Sequence, residues 1–452
     1  MEVTEQILDF LEKVSKEGVP AGIESRAQAC VADALHAILL AVDSETAKIL
    51  WRYLEPELPR GGCSILGRGL TGPETAALYH GSLAAGEEID DVHYDTSLHS
   101  GAVIVPAALA AAEYAGADRK RFLTAVAAGY EVNVRLSRAA GNRHYYFFHS
   151  SGTAGAVGAA AAAGVAMGLD RKRMGNAIGI AATSASGLWQ GITQEAVMMK
   201  HLHLGMAAER GVRSARLAAL DWPGAAEALE GSKGFLAALA RTGDHAPGED
   251  ADPNRLQRIL TENLGTAWAI QRNIYKRYAF CLGVAEPLEG LREILREGID
   301  PEKIDSLLVE ASYSVVWLVG NPAPKDVCQA RFSAPFALSL LLTGRDPEAV
   351  PLHLDWLAQP DVQRWLPRIA LAGRDSIGSR RAVVTATLSD GRRIVKDAPL
   401  RNLSEEEVYR RFRRVATERI GEEGIRLAEA VSGLTQSKDL SELSKRLTNC
   451  RL

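Results

Sequence analysis

The sequence predicts a mainly α protein: a large all-helical domain over residues 1–265, a smaller α+β domain over 266–403, and C-terminal helices over 404–452 that pack back on the helical domain. Three observations carry this. Apolar residues recur at helical spacing through the first 265 residues. β-Branched runs and a hairpin turn are confined to the middle stretch, and charged amphipathic periodicity returns after Ser404. At 452 residues the chain is too long to be served comfortably by one core, so two domains are expected.

The elements follow in order. Ile7, Leu8, Leu11 and Val14 share one helical face. Pro73 suits the first turn of a helix over 74–89, and Pro106 that of a helix over 107–114. Asp118 and Asp170 are N-cap candidates for helices over 119–139 and 171–186. Residues 152–168 are almost all small, which lets helix backbones approach closely and predicts a helix buried on every side. A further helix is expected over Met206 to Leu220, with Lys200 to Leu204 as its entrance, and the stretch from Thr242 to Pro253 is the best loop candidate. In the middle region, Ser306 to Val316 favours strand, 334–342 favours helix, and Ala382 to Lys396 reads as a hairpin turning on Asp390-Gly391. After Ser404, Val408, Phe412, Val415 and Ala416 mark one amphipathic face.

Composition excludes several classes. Hydrophobic residues at 47% and charged residues at 24% are ordinary for a globular protein, and a net charge of −4 offers nothing to nucleic acid or a membrane surface. The first residues carry Glu2, Glu5, Asp9 and Glu12 where a secretory signal would be basic and then apolar. No run approaches the ~20 apolar residues of a membrane span. Five scattered cysteines without a CxxC fit neither a disulfide framework nor a zinc site, so a reduced, cytoplasmic setting is expected.

Several motifs invite a chemical reading. Gly67-Arg-Gly-Leu-Thr-Gly72 is formally GxGxxG, but no second strand follows it, so a glycine-rich helix entry is the better reading than a dinucleotide site. The segment from Glu88 to His99 holds four carboxylates (Glu88, Asp90, Asp91, Asp95) and two histidines (His93, His99) between apolar flanks. A solvated helix end has this composition too. Histidine beside carboxylate is, however, what proton transfer requires. Asp91 and Asp95 faintly resemble an aspartate-rich magnesium motif, yet the DDxxD spacing is absent because Tyr94 occupies its last position. His149 follows an aromatic run containing Tyr145 and Tyr146 and opens the small-residue helix, a place suited to an anion. Lys200, His201 and His203 form a carboxylate-binding pattern, or else a solvated turn. Lys276 and Arg331 add cationic charge near and beyond the domain boundary. There is no GxSxG, HExxH or P-loop.

Taken in order, His80-Gly-Ser-Leu, Glu88-Ile-Asp-Asp-Val-His93, His99-Ser-Gly, Gly129-Tyr-Glu131, His149, Lys200-His-Leu-His-Leu-Gly205, Glu230-Gly-Ser-Lys-Gly-Phe235, Lys276-Arg-Tyr278 and Arg331-Phe-Ser-Ala-Pro-Phe336 resemble the MmgE/PrpD family, which includes 2-methylcitrate dehydratase, cis-aconitate decarboxylase and iminodisuccinate epimerase. The resemblance implies a helical domain, an α+β lid domain, a cleft between them, a homodimer, and catalysis on a small carboxylate without metal or organic cofactor. It carries family active-site positions onto Asp91, His99, His149, Lys200 and Lys276. Glu88, His93, His201, His203, Tyr145 and Arg331 are the accompanying substrate-binding candidates. Val92 stands where threonine is common and Ala279 where proline is usual, Phe336 where tyrosine is frequent, and one extra residue separates the aspartate pair from His99. These departures point to a substrate different from that of the named dehydratase or decarboxylase.

The expected chemistry begins at a carbon beside a carboxylate. Lys200 and Lys276 would stabilise the developing negative charge, His99 and His149 would give and take the proton, and Asp91 or Glu88 would orient one imidazole. A lyase of the dehydratase or decarboxylase type is the leading expectation. An epimerase using the same residues and a non-catalytic helical relative are the alternatives.

Overall fold

The computed structural model describes residues 2–193, 197–240, 255–348, 350–378 and 380–450, so the expected loop from Thr242 to Pro253 lies outside the described residues. The helices are α1 (Val3–Glu17), α2 (Ala21–Ala41), α3 (Glu45–Leu54), α4 (Pro73–Ala84), α5 (Ser100–Ala115), α6 (Arg119–Phe147), α7 (Ser150–Met167), α8 (Arg171–Ser184), α9 (Gln190–Thr193), α10 (Met198–Ala219), α11 (Arg255–Thr261), α12 (Ala285–Arg296), α13 (Tyr313–Val319), α14 (Val327–Ala330), α15 (Ala334–Leu342), α16 (Pro360–Trp365), α17 (Glu405–Ser432) and α18 (Ser441–Asn449). The strands are β1 (Cys63–Ile65), β2 (Gly69–Thr71), β3 (Val92–His93), β4 (Asn273–Ile274), β5 (Ile304–Ala311), β6 (Ile369–Gly373), β7 (Arg381–Leu388) and β8 (Arg393–Pro399). The mainly α class holds: a four-stranded sheet lies in the C-terminal half, beside two short two-stranded ribbons, β1 with β2 and β3 with β4. The chain divides into two compact units: residues 1–86, 90–275 and 404–452, and residues 87–89 with 276–403.

The helical unit is built round α7. Every residue from Ser150 to Ala166 is buried, and α5, α6, α8 and α10 pack against it. Small side chains make this possible: a Cβ on Gly158 would sit 2.6 Å from that of Asn133 on α6. The caps behave as local rules dictate. Asp118 accepts from the Arg121 amide and Asp170 from the Arg173 amide, and Pro73 opens α4. The GxGxxG segment is the turn and second strand of an antiparallel hairpin, β1 with β2, leading into α4 through Gly72, and among the described residues that sheet has no further strand. In α17 a capping box joins Ser404 and Glu407, and the helix packs along α2 with Val408, Phe412, Val415 and Ala416 buried.

Several expectations shift: α4 ends at Ala84, which leaves Glu88 in the loop beyond it, and α6 runs on to Phe147. Pro106 lies inside α5, not at its start, because the helix already begins at Ser100 with His99 at its N-cap. The run over Ser306 to Val316 is strand only to Ala311, and Tyr313–Val319 is helix. The reason is tertiary: the partner strand β6 ends at Gly373 opposite Ala311, and the Tyr313 ring lies against that glycine, where a Cβ would meet it at 2.3 Å. Lastly, α10 starts at Met198, so Lys200, His201 and His203 are in the helix rather than at its entrance.

In the second unit the sheet runs β6-β5-β7-β8, with β5 parallel to β6 and the other pairs antiparallel. The turn at Asp390-Gly391 closes β7 onto β8, with Gly391 at φ 83°. Helix α12 covers β7 and β8, and Phe280, Leu288, Leu291, Val309, Phe336, Trp365 and Val384 form the core.

Candidate active site

The loop between α4 and α5 is held down by a short antiparallel ribbon, in which Val92 of β3 pairs with Ile274 of β4 and His93 with Asn273. The ribbon folds the acidic stretch under the start of α5. There the two neighbouring aspartates take different roles. Asp90, fully buried, lies 2.7 Å by Oδ2 from His99 Nδ1. Asp91 accepts from the Gly101 amide at 2.8 Å, from the Tyr130 hydroxyl at 2.5 Å, and from the Asn273 side chain. It thus satisfies one of the amides that a helix start leaves unbonded. Burial pushes its carboxyl above the usual carboxylate range, and the Tyr130 hydroxyl works against that. The approach is tight, since a Cβ on Gly101 would fall 2.7 Å from Asp91 Oδ1.

A carboxylate on Nδ1 orders the imidazole. In the neutral ring it retains the proton at Nδ1 and leaves Nε2 as the proton acceptor; in the cation it neutralises the charge. The His99 amide donates to Ser151 Oγ at 3.1 Å, which ties the start of α5 to the first turn of α7. His149 is the N-cap of α7, and its ring stands 6.1 Å from that of His99 at 71°. Two helix N-termini therefore bear on two adjacent imidazoles, and both favour negative charge nearby.

His149 also meets Trp189 at 5.0 Å and His203 at 5.7 Å between ring centroids, and Tyr145 closes on the far partner, 5.3 Å from Trp189. Burial, followed by the Arg210 guanidinium, lowers the His203 pKa. Lys200 is buried one turn before His203 on the same face of α10. His201 points elsewhere: its Nδ1 is 2.8 Å from Thr46 Oγ1 on the side of α3. Two residues along a helix are about 200° apart, so His201 and His203 cannot share a face. His93 bonds Thr96 Oγ1 at 3.1 Å, and burial holds its pKa down at about 3. Asp95 is bonded by Arg138 and Arg272, so it and Asp91 are both committed to protein donors. Among the described residues no three His, Cys, Asp or Glu side chains converge as a metal site.

In the second unit, Lys276 Nζ donates to the Glu88 carbonyl at 2.8 Å and to Glu88 Oε2 at 3.2 Å. Arg331 pairs with Glu87, and all four side chains are buried. Glu88 has φ 52°, a left-handed conformation uncommon outside glycine.

The sequence offers His99 and His149 together with Asp91 or Glu88 as the orienting carboxylate, whereas Asp90 is the one bonded to His99. Adjacent aspartates carry the same signal in a sequence, and only the path of the loop separates them. Asn273 and Ser151 carry no motif of their own, and Tyr130 stands only inside the family motif Gly129-Tyr-Glu131. Trp189 left one clue, a lone large aromatic ring in a stretch of small residues.

Among the described residues no single helix is long and apolar enough to cross a membrane. A family model of the MmgE/PrpD N-terminal domain matches residues 5–247, and one of the C-terminal domain matches residues 278–434. Relatives include a cis-aconitate decarboxylase-like protein (oryM) of Aspergillus oryzae, 27% identical over 68% of this chain and 64% of its own length. The cis-aconitate decarboxylase of Aspergillus terreus is 27% identical over 65% of this chain and 60% of its own length. The human cis-aconitate decarboxylase is 25% identical over 83% of this chain and 79% of its own. The chain thus spans less than two thirds of the length of either Aspergillus protein. With both family domains matched in order along the greater part of its length, the chain belongs to the MmgE/PrpD family.

Proposed function

We propose that the protein is a lyase acting by proton transfer on a small di- or tricarboxylate, with no metal ion in the step; the names of the relatives make cis-aconitate the first acid to test, and the departures at Val92, Ala279 and Phe336 make related di- and tricarboxylates the next. The observation that carries this reading is the Asp90–His99 pair set 6.1 Å by ring from His149 at two helix N-termini. In a decarboxylation the bond to the departing carboxylate breaks and carbon dioxide leaves. The electron pair passes into the allylic system, and an imidazolium delivers its proton to the far carbon. His99 suits the donor role because the Asp90 carboxylate stabilises its cation. Lys200, one turn from His203 on α10, supplies positive charge for a substrate carboxylate. The names of the relatives favour the same chemistry.

The test is incubation of the purified protein with cis-aconitate and a panel of di- and tricarboxylates, followed by mass and chiral analysis of the products. Loss of 44 mass units, the mass of carbon dioxide, is the expected result. Loss of water would assign dehydratase chemistry, and a product of unchanged mass but altered configuration would assign an epimerase. No conversion of any member would refute the reading. His99→Ala and His149→Ala should each lower kcat by about 10²-fold or more.

A further inference from the structure

We propose that the indole of Trp189 and the imidazole of His203 form a hydrogen-bonding wall that holds a second substrate carboxylate beside His149, so that the site selects polycarboxylates. The inference rests on the carboxylate reading above and concerns how that same site chooses its ligand.

The wall is built rigidly. The Trp189 amide donates to the Phe147 carbonyl at 3.0 Å, and the His149 amide to the Gly187 carbonyl at 2.8 Å. This pairs the stretch before Trp189 with the stretch before α7. Glycine at two positions permits the approach. A Cβ on Gly152 would meet the Ser186 carbonyl at 2.7 Å, and Gly187 takes φ +151°. The result sets the Trp189 ring against His149, while α10 brings His203 against it as well.

Both side chains are more than nine-tenths buried, at 8% and 7% exposed. Yet Trp189 Nε1 and His203 Nδ1 have no hydrogen-bond partner among the described residues. Buried polar atoms are nearly always paired, and an indole N–H can only donate, so it calls for an acceptor. Both rings pack against the same imidazole, so the indole N–H and, in its Nδ1–H tautomer, the His203 ring are the two donors beside His149 that a carboxylate can take up. The adjacent N-terminus of α7 favours an anion over a neutral acceptor.

Calorimetric titration with propane-1,2,3-tricarboxylate, a saturated and unreactive probe, tests the proposal on the full chain. Trp189→Phe and His203→Phe keep a ring and remove the nitrogen. Each should weaken binding about tenfold, the worth of one hydrogen bond to a charged acceptor. Neither should lower the Tm of the unliganded protein through that nitrogen, since it bonds nothing there. A folded variant of either kind with unchanged affinity overturns the proposal, as does a lowered Tm with unchanged affinity. Carbon dioxide release from cis-aconitate, measured alongside, separates the two readings. Release with KM unaltered in both variants sinks the wall and leaves the lyase. Tight binding that weakens in the variants, without release by the native protein, sustains the wall and sinks the decarboxylase. Failure of the native protein to bind the tricarboxylate ends both.

Discussion

Replacing Asp90 with asparagine keeps the size of the side chain and removes its charge, so it isolates what the carboxylate does for His99. The pair is close, at 2.7 Å, and Asp90 is fully buried. Two unit charges with centres about 4 Å apart interact by about 4 kcal/mol at an effective dielectric near 20. That energy is available only while His99 is a cation, which in the proposed step is the proton donor. At 1.36 kcal/mol per tenfold, its loss corresponds to about three decades in rate. Asparagine can also offer its carbonyl or its amide to Nδ1, and the second choice inverts the tautomer. The assay is initial-rate release of carbon dioxide from cis-aconitate, giving kcat and KM separately, with thermal unfolding to show that the variant is folded. The expected result is a kcat lowered by about 10³ with KM changed little. A folded Asp90→Asn protein within threefold of the native kcat would refute the role of Asp90 and, with it, His99 as the charged donor.

The remaining outcomes test charge and burial elsewhere. Lys276→Met removes the buried cation bonded to Glu88, which should cost about 3–5 kcal/mol in chemical denaturation, and Glu88→Gln in the same chain should recover much of it; a variant as stable as the native protein would show the pair to be dispensable. His80 accepts at Nε2 from the Leu66 amide at 3.0 Å, and burial lowers its pKa to about 4 from the ordinary value near 6.5. The unfolded chain therefore binds more protons across that interval, and stability is lost as pH falls from 6.5 toward 4, by roughly 3 kcal/mol for His80 alone. His80→Gln should flatten that limb of the stability profile, and an unchanged slope would count against the depressed pKa. Turnover in excess EDTA should equal that of untreated protein, since Asp91 and Asp95 are already occupied by protein donors; loss of activity restored by a divalent cation would overturn the metal-free step.

How much of this could be read from the chain alone follows the range of the forces involved. Helical faces, the caps at Asp118 and Asp170, the opening of α4 at Pro73 and the turn at Asp390-Gly391 depend on residues within one or two turns, and a sequence displays them openly. The ordered run of family motifs was legible for the same reason, as was the presence of His99 and His149 among the candidates. Other features needed partners that are far away in the chain. Strand β5 ends where β6 runs out, α5 starts early because its N-terminal amide at Gly101 finds Asp91, and the choice between Asp90 and Asp91 is made by a ribbon joining Val92 to Ile274. Trp189 reaches His149 only because two glycines let separate segments touch. Local periodicity determines which residues form helices; which side chains then meet is decided by packing between segments that no spacing rule connects.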